Sequence, residues 1–505
     1  MTPPYRMMVG NSWTDAEFQG VNVHSGSLAN LLNALMVDVP GAKFTWDFKS
    51  GAWDGKASLF IVETETTQQG LDWAYIKFPT GLFPLVFDAA KRWYRRSGIL
   101  VDNRWIPQVT LNPCTVPLRD YQFGAVSAAL QTNNELGWWP RAVLHVATGG
   151  GKTEMAVAIY QMHMVPTMFL VHRKDLLYQA KERFEKYGIQ VGIIGDGKFD
   201  PFQPGVTIST MQSIISAVKI GGDPTKHHLL QQLIMDTRQV FFDEAHLLAS
   251  TIDKGNTFVT IASSFKNAYA RWGLTGTPFM RSAYDNMLLM GATGELACSI
   301  TNEQLIEAGH LSQPTVIMRR VPGTLKLKFE GSYKSTKAGA KYWRDVEDKG
   351  IKFNDPRNEI ICQEVQKGPH PCLVLVKTID QANHIQLTMR RLFNSQLTLI
   401  TGDATAFERR NVVSRLRDGS LSMVMATTIF DEGIDIPELL KVILASGGKS
   451  QVKLLQRIGR GLRKADGKST VEIIDFSDTH HAMLKRHADE RRAVWREQGF
   501  TILEQ

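Results

Sequence analysis

The run His145-Val146-Ala147-Thr148-Gly149-Gly150-Gly151-Lys152-Thr153 has the residue types and spacing to hold a polyphosphate. An apolar stretch precedes it and a helix-forming segment, 154–161, follows, which is the strand–loop–helix setting such a loop needs. Consecutive glycines let backbone N–H groups converge on an anion with no Cβ in the way. The helix N-terminus adds partial positive charge at the same point. Lys152 can reach outer phosphates, and the Thr153 hydroxyl can ligate Mg²⁺. The usual pattern opens with a glycine where this chain has Val146.

A second constellation lies downstream. Arg238-Gln239-Val240-Phe241-Phe242 reads as a buried strand that ends in Asp243-Glu244-Ala245-His246. The end of a strand is where a parallel α/β sheet presents groups to a ligand. Asp243 is expected to hold Mg²⁺, and Glu244 to polarise a water attacking phosphorus. The competing reading is an acidic helix cap after a strand.

Residues 1–112 read as an N-terminal α+β unit. Short strands are expected at 22–24, 43–46 and 58–62, an Asp-Gly hairpin turn at Trp53-Asp54-Gly55, and a helix over 82–96. Over 113–320 strands and helices alternate, with strands expected at 142–146, 167–171, 191–194, 206–209, 240–242 and 272–274. That rhythm is the signature of a parallel sheet covered by helices. Residues 321–355, rich in Lys, Gly and Ser, read as a linker or insertion. Alternation resumes over 356–505, with strands at 372–376, 397–400, 423–426, 441–444 and 471–474, then a charged helix and a short end. The fold class is α/β: two tandem parallel-sheet domains preceded by a small α+β domain.

The chain has 505 residues, a formal charge of +8 and four cysteines, Cys114, Cys298, Cys362 and Cys372. Its calculated pI is about 9.1. The charge permits a polyanionic partner without requiring one. The cysteines are scattered with no metal-ligand spacing, so free thiols are expected and structural zinc is not. No apolar run is long enough for a bilayer and no signal peptide is visible, which together predict a cytoplasmic protein with no membrane partner.

The motifs taken in order resemble those of the superfamily 2 helicases, whose motor is two RecA-like domains. Leu118-Arg119-Asp120-Tyr121-Gln122 is similar to the adenine-recognition element. The phosphate loop is similar to motif I, 169–177 to Ia, 208–213 to Ib, 243–246 to II, 274–278 to III, 373–376 to IV, 426–437 to V and 456–463 to VI. Phe48-Lys49-Ser50-Gly51-Ala52-Trp53-Asp54-Gly55-Lys56, with weaker matches at 81–86 and 301–309, further resembles the UvsW-type phage recombination helicases. If the chain is phage-encoded, its compartment is the host cytoplasm.

The resemblance implies the following roles. ATP and Mg²⁺ bind between the two motor domains, held by Arg119, Gln122, Thr148, Gly149, Gly150, Gly151, Lys152 and Thr153, with Gly433 and Asp435 on the same cleft. Thr153 and Asp243 hold the metal, and Lys152, Asp243, Glu244, Arg460 and Arg463 are catalytic, the two arginines as fingers. His246, Thr275, Thr277, Gln456 and Arg457 couple the nucleotide to the nucleic acid. Arg173, Ser209, Thr210, Gln212, Thr401, Gly402 and Thr427 contact a backbone without reading sequence, though each taken singly is equally a cap or turn residue.

Two basic, aromatic stretches, 91–96 and 326–344, suit nucleic-acid contact. A solvated helix face and an interdomain linker are the alternatives. Trp53 is either a strand-separating wedge or a packed aromatic beside its hairpin. The implied activity is ATP-driven work on single-stranded and branched DNA, including branch migration, and on RNA–DNA hybrids. Competing functions are a DEAH-type RNA helicase, the motor subunit of a restriction nuclease, and a nucleic-acid binder that uses ATP as a switch.

Overall fold

The structure is a computed structural model. It describes the chain except residues 1–4, 20–25, 40–41, 45, 58, 67–71, 95–97, 108–109, 203, 219–223, 247–256, 277–282, 328–335, 428–438 and 448–469. The chain divides into two compact units. One comprises Met1–Val146 with Gly151–Ile300, and the other Thr301–Gln505 with the loop Ala147–Gly150.

Among the described residues the first unit holds two large sheets and two short two-stranded ones, Val37–Asp38 with Lys56–Ala57 and Asn133–Asn134 with Gly137–Trp138. The N-terminal sheet contains β1 (Tyr5–Val9), β2 (Trp13–Gln19), β3 (Ile61–Thr66), β4 (Asp72–Pro79) and β5 (Ile99–Asp102), in the order β3-β4-β2-β1-β5. One face is apolar because Tyr5, Met7, Val9, Ala16, Phe18, Ala74, Ile76 and Phe78 alternate with polar neighbours, the period-two pattern of a half-buried sheet. That face packs on helices α1 (Gly26–Leu35) and α2 (Phe83–Tyr94). Of the expected elements here, the helix is present. The strand expected at 43–46 is instead a turn of 3₁₀ helix, Ala42–Phe44, and a short helix, Trp46–Lys49. The one expected at 22–24 lies outside the described residues.

The N-terminal sheet is clasped to its neighbour. Arg141 donates to the Asn11 carbonyl and Arg271 to the Ser12 hydroxyl, both in the β1–β2 turn. Gly81 is packed so closely that a Cβ there would lie 2.0 Å from the Met290 carbonyl oxygen. Trp139 and Met287 complete the N-terminal core.

The second sheet of this unit contains β6 (Arg141–Val146), β7 (Thr167–Val171), β8 (Val191–Gly195), β9 (Lys198–Asp200), β10 (Val206–Thr210), β11 (Gln239–Asp243), β12 (Ala270–Thr275) and β13 (Leu296–Ile300). Their order is β9-β8-β10-β7-β11-β12-β6-β13, and all neighbours are parallel except the β8–β9 hairpin. Helices α3 (Asp120–Leu130), α4 (Lys152–His163), α5 (Lys174–Glu185), α6 (Met211–Val218), α7 (Pro224–Asp236), α8 (Thr257–Ser264) and α9 (Ala283–Ala292) accompany it. Each expected strand is present, and β9 and β13 are additional.

The second unit's sheet has the order β16-β17-β15-β18-β19-β14-β20, formed from β14 (Gln313–Arg320), β15 (Cys372–Leu375), β16 (Thr398–Ile400), β17 (Met423–Ala426), β18 (Lys441–Leu444), β19 (Thr470–Ser477) and β20 (Thr501–Glu504). Its longer helices among the described residues are α10 (Thr336–Glu347), α11 (Asp355–Lys367), α12 (Ile379–Phe393), α13 (Ala406–Arg417) and α14 (Ala482–Glu497), and a short helix, Asn302–Glu307, precedes β14. Two expectations are corrected here. The boundary placed at 320 falls after Ile300, because β14 pairs along its whole length with β19. The segment read as a linker or an insertion contains α10, whose Val346 packs with Ile351 and Leu484 in a small core, which sets the linker alternative aside. Tyr342 and Trp343 lie against His481 and His487 of the terminal helix, the latter with centroids 4.8 Å apart. These two aromatics are therefore occupied in packing.

The edge strand β16 is partly closed by a side chain. The Gln386 amide accepts from the Leu397 N–H at 3.0 Å and donates to its carbonyl at 2.6 Å, as a neighbouring strand residue would.

Candidate functional site

Strand β6 ends at Val146, the glycine loop follows, and α4 begins at Lys152. Gly149 and Gly151 have φ of +91° and +84°, the left-handed region that glycine enters without strain. Gly151 also faces Gln122 closely: a Cβ there would lie 2.1 Å from Gln122 Nε2. Gln122, expected to read a base edge, is buried, and its Oε1 accepts the Arg119 N–H at 2.9 Å in the capping box of α3.

Asp243 ends β11, next to β12 on one side and β7 on the other. Glu244 follows with φ +47°, uncommon for a residue with a Cβ. Its Oε1 lies 3.4 Å from Lys152 Nζ, and both side chains are mostly buried. Its Oε2 lies 3.4 Å from His246 Nδ1 and, in a buried position, accepts no hydrogen bond. His246 Nδ1 in turn lies 2.9 Å from the Thr275 hydroxyl.

The two carboxylates have opposite electrostatics. Burial, reinforced by the neighbouring Glu244 charge, raises the Asp243 pKa. Burial pushes Glu244 the same way, but Lys152, His246 and His172 outweigh it and hold that carboxyl below its usual range. A carboxylate short of positive charge and a hydroxyl at the first turn of α4 are hard oxygen donors that suit Mg²⁺, and the N–H groups of the glycine cradle suit a triphosphate. Thr153 and Asp243 would hold the metal, and Lys152 and the loop amides the phosphates.

Two residues join this set that the motifs did not single out. His145 Nδ1 lies 2.8 Å from Ser299 Oγ and its Nε2 lies 3.3 Å from the Gly276 carbonyl, tying β6 to the segment after β12. Burial lowers its pKa, partly opposed by that carbonyl and aided by Lys152. Its signal in the sequence was a histidine inside an otherwise apolar strand. His172 lies near enough to both acids to act on their titration.

Along the C-terminal ends of β7, β8 and β10 lies a cavity of about 700 Å³. Of the residues expected on a nucleic acid, Arg173, Thr210 and Gln212 line it. Ser209 does not: it is fully buried and its hydroxyl donates to the Thr210 carbonyl. In the second unit Thr401 is half-buried with its carbonyl accepting the Ala404 N–H, Gly402 is exposed, and the Thr427 N–H donates to Ile400. Thr277, Gly433, Asp435, Gln456, Arg457, Arg460 and Arg463 lie outside the described residues. Trp53 is half-buried and its indole N–H donates to the Lys56 carbonyl at 2.6 Å, which fits a packed hairpin aromatic better than a wedge. In the basic stretch 91–96, Lys91 is paired to Glu135 at 2.7 Å. Among the described residues no cluster of His, Cys, Asp and Glu could by itself hold a metal, and no helix is long and apolar enough to cross a membrane.

Residues 115–280 match the family described as type III restriction enzyme, res subunit, and residues 356–465 the helicase conserved C-terminal domain. Together these cover more than half of the chain. Among proteins of similar sequence is one named as a helicase, helicase 22, of Sulfolobus islandicus filamentous virus (isolate Iceland/Hveragerdi). It is 26% identical over 379 residues, 73% of this chain and 66% of that protein. The DNA 3'-5' translocase XPB2 of Sulfurisphaera tokodaii is 26% identical over 74% of this chain and 85% of its own length. The ATP-dependent DNA helicase uvsW of Enterobacteria phage T4 is 21% identical over 67% of this chain and 65% of its own. The match thus spans just under two thirds of the viral and phage relatives. With a phosphate loop opposed to a strand-end acid pair, two parallel-sheet units and helicase domains matched over each, the chain belongs to the superfamily 2 helicases, which are ATP-dependent.

Proposed function

We infer that this chain is an ATP-driven motor on DNA that remodels branched substrates by branch migration or by reversal of forks and R-loops. The observation that supports the reading is the Lys152–Glu244 pairing at 3.4 Å, a cation suited to phosphate beside a carboxylate suited to orienting water. Bound Mg–ATP supplies the reactive phosphoanhydride. Lys152 and the loop amides orient its phosphates, Asp243 and Thr153 present oxygen donors, and Glu244 aims a water. His246 passes the state of that site to Thr275. Arg460 and Arg463 belong to this proposal as the groups that meet charge spreading on the phosphates.

DNA rather than RNA is favoured because the names of the archaeal and T4 relatives specify DNA. The cationic cavity beside Arg173 supports a backbone-held, sequence-tolerant grip. The test compares ATP hydrolysis and strand displacement on single-stranded DNA, forks, Holliday junctions, RNA–DNA hybrids and RNA duplexes. Preferred action on branched DNA is expected. Equal action on a plain RNA duplex would overturn the reading in favour of an RNA helicase.

A further inference from the structure

The cavity at the ends of β7, β8 and β10 has a second wall that no helicase motif supplies. Its four Lys and Arg cations come from three places: Arg173 and Lys174 at the start of α5, Lys198 on the β8–β9 hairpin, and Lys226 in the first turn of α7. His172 and His227 complete the basic lining. Asp196 is the one acid among the lining residues, and its carboxylate is engaged by Lys174 at 2.7 Å and by the Tyr178 hydroxyl at 3.2 Å. Lys198 lies over the Tyr178 ring at 5.1 Å, and both Lys198 and Lys226 are exposed.

The hairpin is rigid where it matters. Asp196 and Gly197 take φ of +52° and +76°, the two left-handed positions of a tight hairpin turn. That turn fixes Lys198 relative to α5. Lys226 lies at a helix N-terminus, where backbone N–H groups and the helix dipole also favour an anion. A groove of this volume, with cations from three separate elements and its acid already paired, suits a sugar–phosphate backbone held at several points.

We propose that Lys198 and Lys226 form a second phosphate-contacting wall of the nucleic-acid groove that Arg173 also lines. The proposal rests on the nucleic-acid reading above and extends it to elements outside the motifs. Such contacts strengthen binding without adding sequence preference, and each is lost in proportion to the counterions it releases.

The test measures binding of a fluorescein-labelled oligothymidylate by anisotropy across a salt series. It compares the full chain with Lys198→Gln, Lys226→Gln, the double variant, Arg173→Gln, and Lys266→Gln, an exposed lysine before β12 at the other end of the strands. The double variant is expected to weaken binding about tenfold and to flatten the log–log salt slope by about one to two. Lys266→Gln should match the parent in binding, in ATP hydrolysis without DNA and in melting temperature, and the double variant should keep the parent's melting temperature. If Arg173→Gln weakens binding while the double variant leaves affinity and slope unchanged, the second wall is refuted and the groove stands. If the parent chain binds no oligonucleotide, the nucleic-acid reading itself fails and the wall with it.

Discussion

The ring of His246 meets the hydroxyl of Thr275 at 2.9 Å, and both side chains are buried. This contact joins the acid pair after β11 to the end of β12, so a change at the nucleotide has a physical path along the sheet's C-terminal edge. His246→Ala and Thr275→Val should each retain nucleotide affinity and basal hydrolysis. Each should reduce the stimulation of hydrolysis by DNA, and the double variant should lose little more than either single one. Steady-state phosphate release with and without DNA checks this. Unchanged stimulation in both single variants would remove the coupling role.

Lys152→Ala should lower hydrolysis by at least about a hundredfold, the scale of losing one preorganised electrostatic contact, while leaving DNA binding intact. Arg463→Ala should cut turnover far more than ATP affinity, by about 10³-fold for an arginine finger. A large affinity loss with normal turnover would remove Arg463 from that role.

Gly151→Ala should destabilise the chain by about 1–3 kcal/mol, because the left-handed backbone is strained for alanine and the new Cβ meets the Gln122 amide. Combining it with Gln122→Ala should relieve the clash but not the backbone strain, so the two changes should be non-additive. Denaturant unfolding of the four-member cycle measures this.

His163 is buried, with its Nδ1 at the Gln239 amide oxygen and its ring against Trp138 and Trp272. Burial lowers its pKa from 6.5, partly opposed by that hydrogen bond. Below pH 6.5 the unfolded chain binds the proton before the folded chain does. Stability should therefore be full above pH 6.5 and fall with decreasing pH, by up to about 1.4 kcal/mol per unit, until the lowered folded value is passed. His163→Leu should flatten that part of the profile, read from melting temperatures in a buffer series. An identical slope would exclude this residue as its source.

Arg271 is fully buried and donates to the carbonyls of Ala262, Phe265 and Ala268 as well as to Ser12 Oγ. Arg271→Met should cost about 3 kcal/mol or more, since buried acceptors left unpaired cost about 1–3 kcal/mol each. It should also make the N-terminal sheet the first region cut in limited proteolysis.

The parallel strands were legible because strands covered on both faces are unbroken apolar runs, as in Val206–Thr210 and Cys372–Leu375. The N-terminal strands were not: in Trp13–Gln19 buried and exposed positions alternate over few residues, and charges at Asp15 and Glu17 hide the pattern. Strand β14 escaped notice because it opens on Gln313-Pro314 and ends on two arginines, one of which is neutralised by Glu364 from α11. At the site, motif spacing pointed to Lys152, Asp243 and Glu244, and the structure brings Lys152 and Glu244 together at 3.4 Å. Motif spacing did not point to His145, Lys198 or Lys226, whose neighbours depend on which loops the topology brings together. It could not show that Ser209 is buried, since a hydroxyl at a strand end reveals nothing of whether it faces outward.

The clasp between the β1–β2 turn and the paired positions Arg141 and Arg271 on β6 and β12 bears on how this chain can be re-engineered. An N-terminal sheet gripped through its β1–β2 turn is not an interchangeable cartridge. A chimera carrying a foreign sheet would deprive Arg141 of the Asn11 carbonyl and Arg271 of the Ser12 hydroxyl, so successful grafts must reproduce those acceptors or replace the arginines with apolar residues.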